Sequence, residues 1–375
     1  MSEFQPRIGP VVESVDDLIG GTPLVRLKRS LEGLPEGRWS KSKGLGALKI
    51  QGEVYAKIEM LNPGGSVKDR IARTIVDHAE KTGALKPGGT IVEATSGNTG
   101  AGLAVLAARR GYRAVFVMPD KMSAEKINAL RAYGAKVVVT PTSAGPDSPD
   151  YYCTVAKRIA DTTPGAYLAN QYFNPENPRA HTLTTGPEIW EQMKGKIDVF
   201  VCGIGTGGTL SGTGRFLKEK NPAIKIVAVD PHGSIYAGMI ESGKPSEAKP
   251  YLVEGVGEDM MPGTMDLKVV DGVVTVHDDE AFAATRMLAQ REGLLVGGSC
   301  GGAFFGAVQY LAKAEAEAKR PLRAVVLLPD SGSRYLSKIF NSGWLNEKNV
   351  GRDWGDVRLG GDLEYLPSAK KIEGV

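Results

Sequence analysis

TIVEATSGNTGAGLAVLAARRG, Thr90 to Gly111, reads as a β-branched strand, a Ser/Thr/Asn/Gly loop and an apolar helix in direct succession. The pattern repeats outward. RAVFVMP (113–119) leads into SAEKINALRAYG (123–134), and KVVVT (136–140) leads, after a Pro/Ser/Gly loop, into DYYCTVAKRIADTTPG (150–165). Short strands alternating with helices of this length predict βαβ units and a parallel sheet. A second series starts near NPENPRAHTLTTGPEIWEQMKG (174–195). It continues through DVFVCGIGTGGTLSGTGRFLKEKNP (198–222) and KIVAVDP (225–231) and ends with RAVVLLPD (323–330) and the helix after it. Within it, Asp278 and Asp279 open the helix DDEAFAATRMLAQREG and Gly293 closes it.

The expected architecture is therefore α/β, with two open, twisted, mostly parallel sheets flanked by helices. The reading divides the chain into a smaller unit over 62–174, a larger one made of 12–61 plus 175–345, and a polar C-terminal extension over 346–375. Ligands in such sheets bind beyond the carboxyl ends of the strands, where the glycine loops fall here. The Gly-rich, mildly basic segment 30–53 is expected to be a solvated loop or hairpin.

Composition narrows the function. At 375 residues the chain is long enough for two domains sharing a cleft. Its 46 Lys and Arg against 43 Asp and Glu leave +3, spread without a single-sign block, so neither nucleic acid nor an anionic membrane is indicated. No run approaches the ~18 apolar residues of a membrane span, and the N-terminus has no apolar signal core. Cys153, Cys202 and Cys300 are odd in number and far apart, which fits a reducing cytosol better than a disulfide framework. His78, His181, His232 and His277 lack zinc-ligand spacing, so no metal is expected and these residues are read as surface or supporting groups.

Three glycine loops carry the chemistry. NPGGSVKDR (62–70) sets Lys68 behind a tight turn. A lysine amine becomes a nucleophile when burial or a neighbouring cation lowers its pKa, and such lysines form Schiff bases with carbonyl cofactors. The competing reading is that Lys68 simply begins the amphipathic helix VKDRIARTIVDHAEKTG. TSGNTG (95–100) offers hydroxyls, the Asn98 amide and a helix N-terminus to a carboxylate, or is only a well-capped turn. GIGTGGT (203–209) presents backbone amides and two threonine hydroxyls to a phosphate. Gly203, Gly205 and Gly208, with Asp230 ending the next strand, also mimic a dinucleotide fingerprint, so an NAD-dependent dehydrogenase is the rival from another class. The rival leaves Lys68 and TSGNTG without a task. Pyridoxal 5'-phosphate uses all three loops.

Together GGTPLVRL (20–27), NPGGSVKDR, EATSGNTG (93–100), GIGTGGTLSG (203–212), GGSCGG (297–302) and LLPDSGSRYLSK (327–338) resemble the cystathionine β-synthase and cysteine synthase family of fold-type II, tryptophan synthase β-like pyridoxal-phosphate enzymes. The resemblance implies that Lys68 holds the cofactor and acts as catalytic base and acid. Asn98 would bond its phenolic oxygen, Gly205, Thr206, Gly207, Gly208 and Thr209 its phosphate, and Ser299 would face its ring nitrogen. Thr95, Ser96, Thr99 and Gln171 would take the substrate carboxylate.

A neutral Ser299 hydroxyl leaves the ring nitrogen largely unprotonated, which favours loss of a β-substituent over transamination. The activity implied is a lyase of sulfur amino-acid biosynthesis and transsulfuration, replacing the β-substituent of L-serine through an aminoacrylate. VMPDKMSAEK (117–126), TPTSAGPDSPD (140–150), VDPHGSI (229–235) and YLVEGVGEDMMP (251–262) are similar to cystathionine β-synthase, with L-homocysteine as second substrate. GPEIW (186–190) lies closer to cysteine synthase, which uses O-acetylserine and sulfide.

Further expectations follow from the resemblance. They are no haem, since MSEFQPRIGP (1–10) lacks Cys and His, no regulatory module, a cytoplasmic homodimer, and no nucleic-acid or membrane partner. Glu258 departs from the aromatic residue of eukaryotic relatives; facing the cleft it would meet a substrate ammonium, and facing water it would have no role.

Overall fold

A computed structural model describes residues 11–32, 50–145 and 147–350. Most of the 30–53 segment, most of the C-terminal extension and the N-terminal MSEFQPRIGP thus lie outside the described residues. The chain opens with β1 (Leu24–Leu27) and β2 (Glu53–Ile58), then α1 (Lys68–Thr82). There follow β3 (Thr90–Ala94), α2 (Asn98–Arg110), β4 (Arg113–Pro119), α3 (Ala124–Ala132), β5 (Lys136–Thr140), α4 (Tyr152–Thr162) and β6 (Ala166–Leu168). Next come α5 (Glu176–Ala180), which continues as a π-helical turn over His181–Thr185, α6 (Gly186–Gln192), β7 (Val199–Gly203), α7 (Gly208–Lys220), β8 (Lys225–Pro231) and α8 (Tyr236–Ser242). The last elements are β9 (Gly272–Val276), α9 (Asp278–Met287), α10 (Gly298–Ala318), β10 (Arg323–Leu328) and α11 (Ser342–Glu347).

Two sheets form. One orders its strands β5-β4-β3-β6, all parallel; the other runs β1-β2-β10-β7-β8-β9, parallel throughout except where β1 pairs antiparallel with β2. Central strands covered by helices on both faces read as continuous apolar runs, and β3 is buried at all five positions and β10 at all but Arg323. The alternating sequence dictated this parallel order. It gave no sign that β2, near the N-terminus, pairs with β10, near the C-terminus.

The geometry directs the glycine loops to the carboxyl ends of β3 and β7, and the NPGGSVKDR turn is drawn to the end of β10. The Val67 N–H donates to the Pro329 carbonyl at 2.8 Å, and Ser66 forms a single bridge with Asp330.

Two residues beyond Lys68, Arg70 is buried in a polar knot. Its guanidinium grips Glu59 through Nε and Nη2 at 2.7 and 2.8 Å and Glu188 through Nη1 and Nη2 at 2.7 and 2.8 Å. Lys57, buried in β2, donates to Glu188 at 2.7 Å and to the Thr22 carbonyl at 2.6 Å. Two cations and two carboxylates thus neutralise one another where the N-terminal segment, β2, α1 and α6 meet. Burial raises the Glu188 pKa, but Arg70 and Lys57 outweigh it and hold the carboxyl at about 2.

Removing one partner of such a buried pair strands the others, so Arg70→Met is expected to cost about 3–5 kcal/mol at neutral pH in urea unfolding. Because the folded pKa of Glu188 is depressed, its contribution is complete above the ordinary glutamate pKa and disappears as pH falls through about 2. The loss of stability between pH 4.5 and 2 should be shallower in Arg70→Met than in the parent.

Candidate active site

Lys68 is the first residue of α1 and its side chain is half-buried beside the carboxyl ends of β7 and β10. It lines a small cavity with Gly205, Thr206, Gly207, Thr209, Gly255 and Val256. Burial lowers the Lys68 pKa against the opposing pull of carboxylates that include Asp330, Glu258 and Glu59. A smaller fraction of protonated amine is what a Schiff-base lysine needs. Lys68 begins α1, as the helical reading has it, and its side chain also lines the cavity.

The GIGTGGT loop wraps the start of α7. Gly207 has φ +80°, a left-handed conformation that a side chain would strain, and it places the amides of the next turn at the cavity. Gly208 leaves no room for a Cβ: the Asn177 Oδ1 lies 1.9 Å from where one would be. Thr206 and Thr209 line the same cavity. Asp230, the acid of the dinucleotide rival, is fully buried and accepts the Ala237 N–H at 2.9 Å, with burial raising its pKa to about 6. It caps α8 and cannot reach a ribose.

In TSGNTG, the Thr95 hydroxyl accepts the Gly97 and Gly100 N–H groups at 3.0 and 3.2 Å, so both of its lone pairs shape the loop. Thr99 donates to Gln171 Oε1 at 2.6 Å, and Gln171 Nε2 donates to the Ala94 carbonyl at 3.1 Å. Ser96 is half-buried beside them. Asn98 is held at both ends: its amide donates to Asp330 at 2.8 Å and accepts from Arg334 at 3.0 Å. The same Arg334 reaches the Gly64 carbonyl and so locks the first glycine loop to the second. Ser299 is buried in the first turn of α10, its carbonyl 3.9 Å from the point where a Cβ on Gly203 would sit. Glu258 is half-buried, with burial raising its pKa to about 8 while the Tyr172 hydroxyl, Lys121 and Lys68 pull it down.

Sequence reading missed Asp330, Arg334, Asn177, His181 and Glu93 as parts of this arrangement. Asp330 and Arg334 sit inside LLPDSGSRYLSK, and Asn177 and His181 lie four residues apart in NPENPRAH. Motif membership flagged their positions, but only the fold shows their partners. Glu93, on β3, is buried and accepts the Gln171 backbone N–H at 3.4 Å, and burial raises its pKa to about 8. Among the described residues no helix is long and apolar enough to cross a membrane, and no group of three His, Cys, Asp or Glu side chains gathers to hold a metal.

A lysine of lowered pKa lining a cavity with a glycine-rich helix N-terminus, in a fold of two mostly parallel sheets, fits a cofactor-dependent α/β enzyme. The family model described as pyridoxal-phosphate dependent enzyme matches residues 15–330, and the chain belongs to that family. It is 47% identical to cystathionine β-synthase of Rattus norvegicus, over 93% of this chain and 61% of the relative, and 48% identical to that of Apis mellifera, over 88% and 62%. The chain thus spans about three-fifths of the length of these curated relatives. It is 42% identical to cysteine synthase of Staphylococcus aureus, over 87% of this chain and 96% of the relative. Among solved structures it is similar to the O-acetylserine dependent cystathionine β-synthase from Helicobacter pylori, with TM-score 0.76 and 37% identity over 88% and 99% of the two chains.

The family implies pyridoxal phosphate, and the residues fit it: an amine of lowered pKa for the aldehyde, and amides with two hydroxyls at a helix N-terminus for the phosphate.

Glu93 tests the electrostatics beside Gln171. Its folded pKa is raised, so stability is greatest below the ordinary glutamate pKa and declines as pH rises through about 8. Glu93→Gln is expected to flatten that decline, read as a denaturation midpoint that changes less than the parent's between pH 5 and 9.

Proposed function

We propose that the protein catalyses β-replacement on L-serine, joining it to L-homocysteine to give cystathionine. The observation that carries this is the cavity shared by Lys68 and the GIGTGGT loop, with Asn177 linking Thr206 of that loop to Gln171, the partner of Thr99. In this reading the smaller unit, 62–174, contributes the carboxylate site with Lys68, and the larger, 12–61 plus 175–345, contributes the phosphate cradle.

Pyridoxal phosphate, when bound, supplies an electron sink that acidifies the substrate Cα proton. Gly205, Thr206, Gly207, Gly208 and Thr209 hold its phosphate, Asn98 its phenolic oxygen and Ser299 its ring nitrogen. Ser96, Thr99 and Gln171 orient the substrate carboxylate, with Thr95 shaping their loop and offering its remaining proton. Lys68 serves as tether, takes the Cα proton, delivers it to the departing β-substituent, accepts the thiol's proton as the sulfur adds and passes that proton to Cα. The Ser299 hydroxyl, being neutral, does not protonate the ring nitrogen and so favours prompt loss of the β-group.

Support for homocysteine as the thiol comes from the higher identity to relatives named cystathionine β-synthase. A second reading, cysteine synthesis from O-acetylserine and sulfide, is favoured by one fact: the chain covers 96% of the staphylococcal cysteine synthase. The visible absorption of the holoenzyme separates them. A band that shifts with L-serine, with cystathionine formed on adding homocysteine, supports the first reading; a band indifferent to serine but responsive to O-acetylserine, with cysteine formed on adding sulfide, supports the second.

Lys68→Ala is expected to lower turnover by roughly 10³-fold or more while the circular dichroism spectrum stays that of the parent. Retained turnover would overturn the mechanism. The assembly proposed is a homodimer, for which light scattering should return twice the 39.8 kDa of one chain.

A further inference from the structure

The cradle threonines have partners of their own. Asn177 Nδ2 donates to the Gln171 backbone carbonyl at 2.8 Å and to Thr206 Oγ1 at 2.9 Å. A carbonyl can only accept, so the atom facing Gln171 is the amide nitrogen, and Thr206 Oγ1 receives a proton from the same nitrogen. The single hydroxyl proton of Thr206 is then free to point elsewhere. Thr264 fixes the loop from below by donating to the Thr206 carbonyl at 2.6 Å.

One helical turn beyond Asn177, on the same side of the segment, the buried His181 ring spans two hydroxyls. Nδ1 lies 2.9 Å from Thr185 Oγ1, and Nε2 lies 3.1 Å from Thr209 Oγ1. A neutral imidazole carries one N–H, so two arrangements exist. If Nδ1 bears the proton, Thr209 must donate to Nε2, and only lone pairs remain for an anion. If Nε2 bears it, Thr209 accepts and keeps its own proton to give. Burial, with the charges of Arg70 and Lys68, holds the ring neutral by lowering its pKa well below the ordinary range.

We propose that Asn177 and His181, four residues apart on one helical segment, are positioning residues that each donate a hydrogen bond to one lone pair of Thr206 and Thr209, leaving both hydroxyl protons to be given to the cofactor phosphate. Through its second bond, Asn177 also ties the cradle to the backbone of Gln171 in the carboxylate site. The inference rests on the phosphate-cradle reading of GIGTGGT. It identifies the supports that make two ordinary hydroxyls into oriented donors.

The test compares binding of pyridoxal 5'-phosphate and of pyridoxal, which lacks the phosphate, to the full-length chain stripped of cofactor. Asn177→Ala and His181→Leu should each weaken pyridoxal phosphate about 10- to 100-fold, as for a lost hydrogen bond to a charged group, and leave pyridoxal within about twofold. His181→Gln, whose amide can donate from near the Nε2 position, should restore most of the loss. Asn177→Ala should add little in a Thr206→Val background. Equal weakening of both ligands, or no weakening of either, would overturn the proposal. A parent protein that does not prefer pyridoxal phosphate over pyridoxal would instead overturn the cradle reading itself. In the holoenzyme, ¹⁵N NMR of labelled histidine gives an independent check. His181 should show a protonated Nε2, and a protonated Nδ1 would refute its assigned role.

Discussion

The guanidinium of Arg70 is the constraint on which the active-site geometry depends. A lysine at the first position of a helix has a long, mobile stem, and its amine is placed only as well as the helix start is placed. Arg70 fixes that start by two bidentate contacts, to Glu59 following β2 and to Glu188 in α6. Both carboxylates approach in the plane of the guanidinium fork, a geometry an ammonium cannot reproduce. The helix belongs to the side of the cleft formed by the four-stranded sheet, yet its first turn is anchored to elements around the six-stranded one.

The same economy governs the loops. Arg334 touches both the Gly64 carbonyl and the Asn98 amide, Asp330 accepts from Asn98 and from Tyr335, and Asn177 spans Gln171 and Thr206. Each junction joins two of the glycine loops or fixes one of them from behind. Loops rich in glycine have the most backbone freedom to lose on ordering, and these side chains restrict it where a cofactor and substrate must be met by prepositioned donors. Burial then acts on charge in opposite directions. It lowers the Lys68 pKa and raises that of Glu93, so the amine tends toward its neutral form while the carboxyl tends to keep its proton.

Much of this was legible beforehand. The parallel sheets followed from alternating β-branched and helical runs, and each glycine loop was found at a strand's carboxyl end. Asn98 and Thr95 show where reading by motif stops. Both were assigned to ligands, and both spend bonds on the protein: Asn98 on Asp330 and Arg334, Thr95 on two amides of its own loop. The histidines were read as surface or supporting groups, and His181 proves fully buried against the cradle. Nothing in the spacing of a lone histidine distinguishes such a ring from one in solvent.

The sequence by itself determined the elements, their parallel order and the chemical character of the three loops, because periodicity, glycine placement and hydroxyl content act over a few residues. Tertiary structure alone decided that β2 pairs with β10, that Arg70 meets Glu188 across more than a hundred residues, and that Asn177 and His181 stand behind the cradle threonines. Those are pairings between polar groups far apart in the chain. Their energies depend on desolvation and on angles fixed by packing, and neither quantity is written in local sequence.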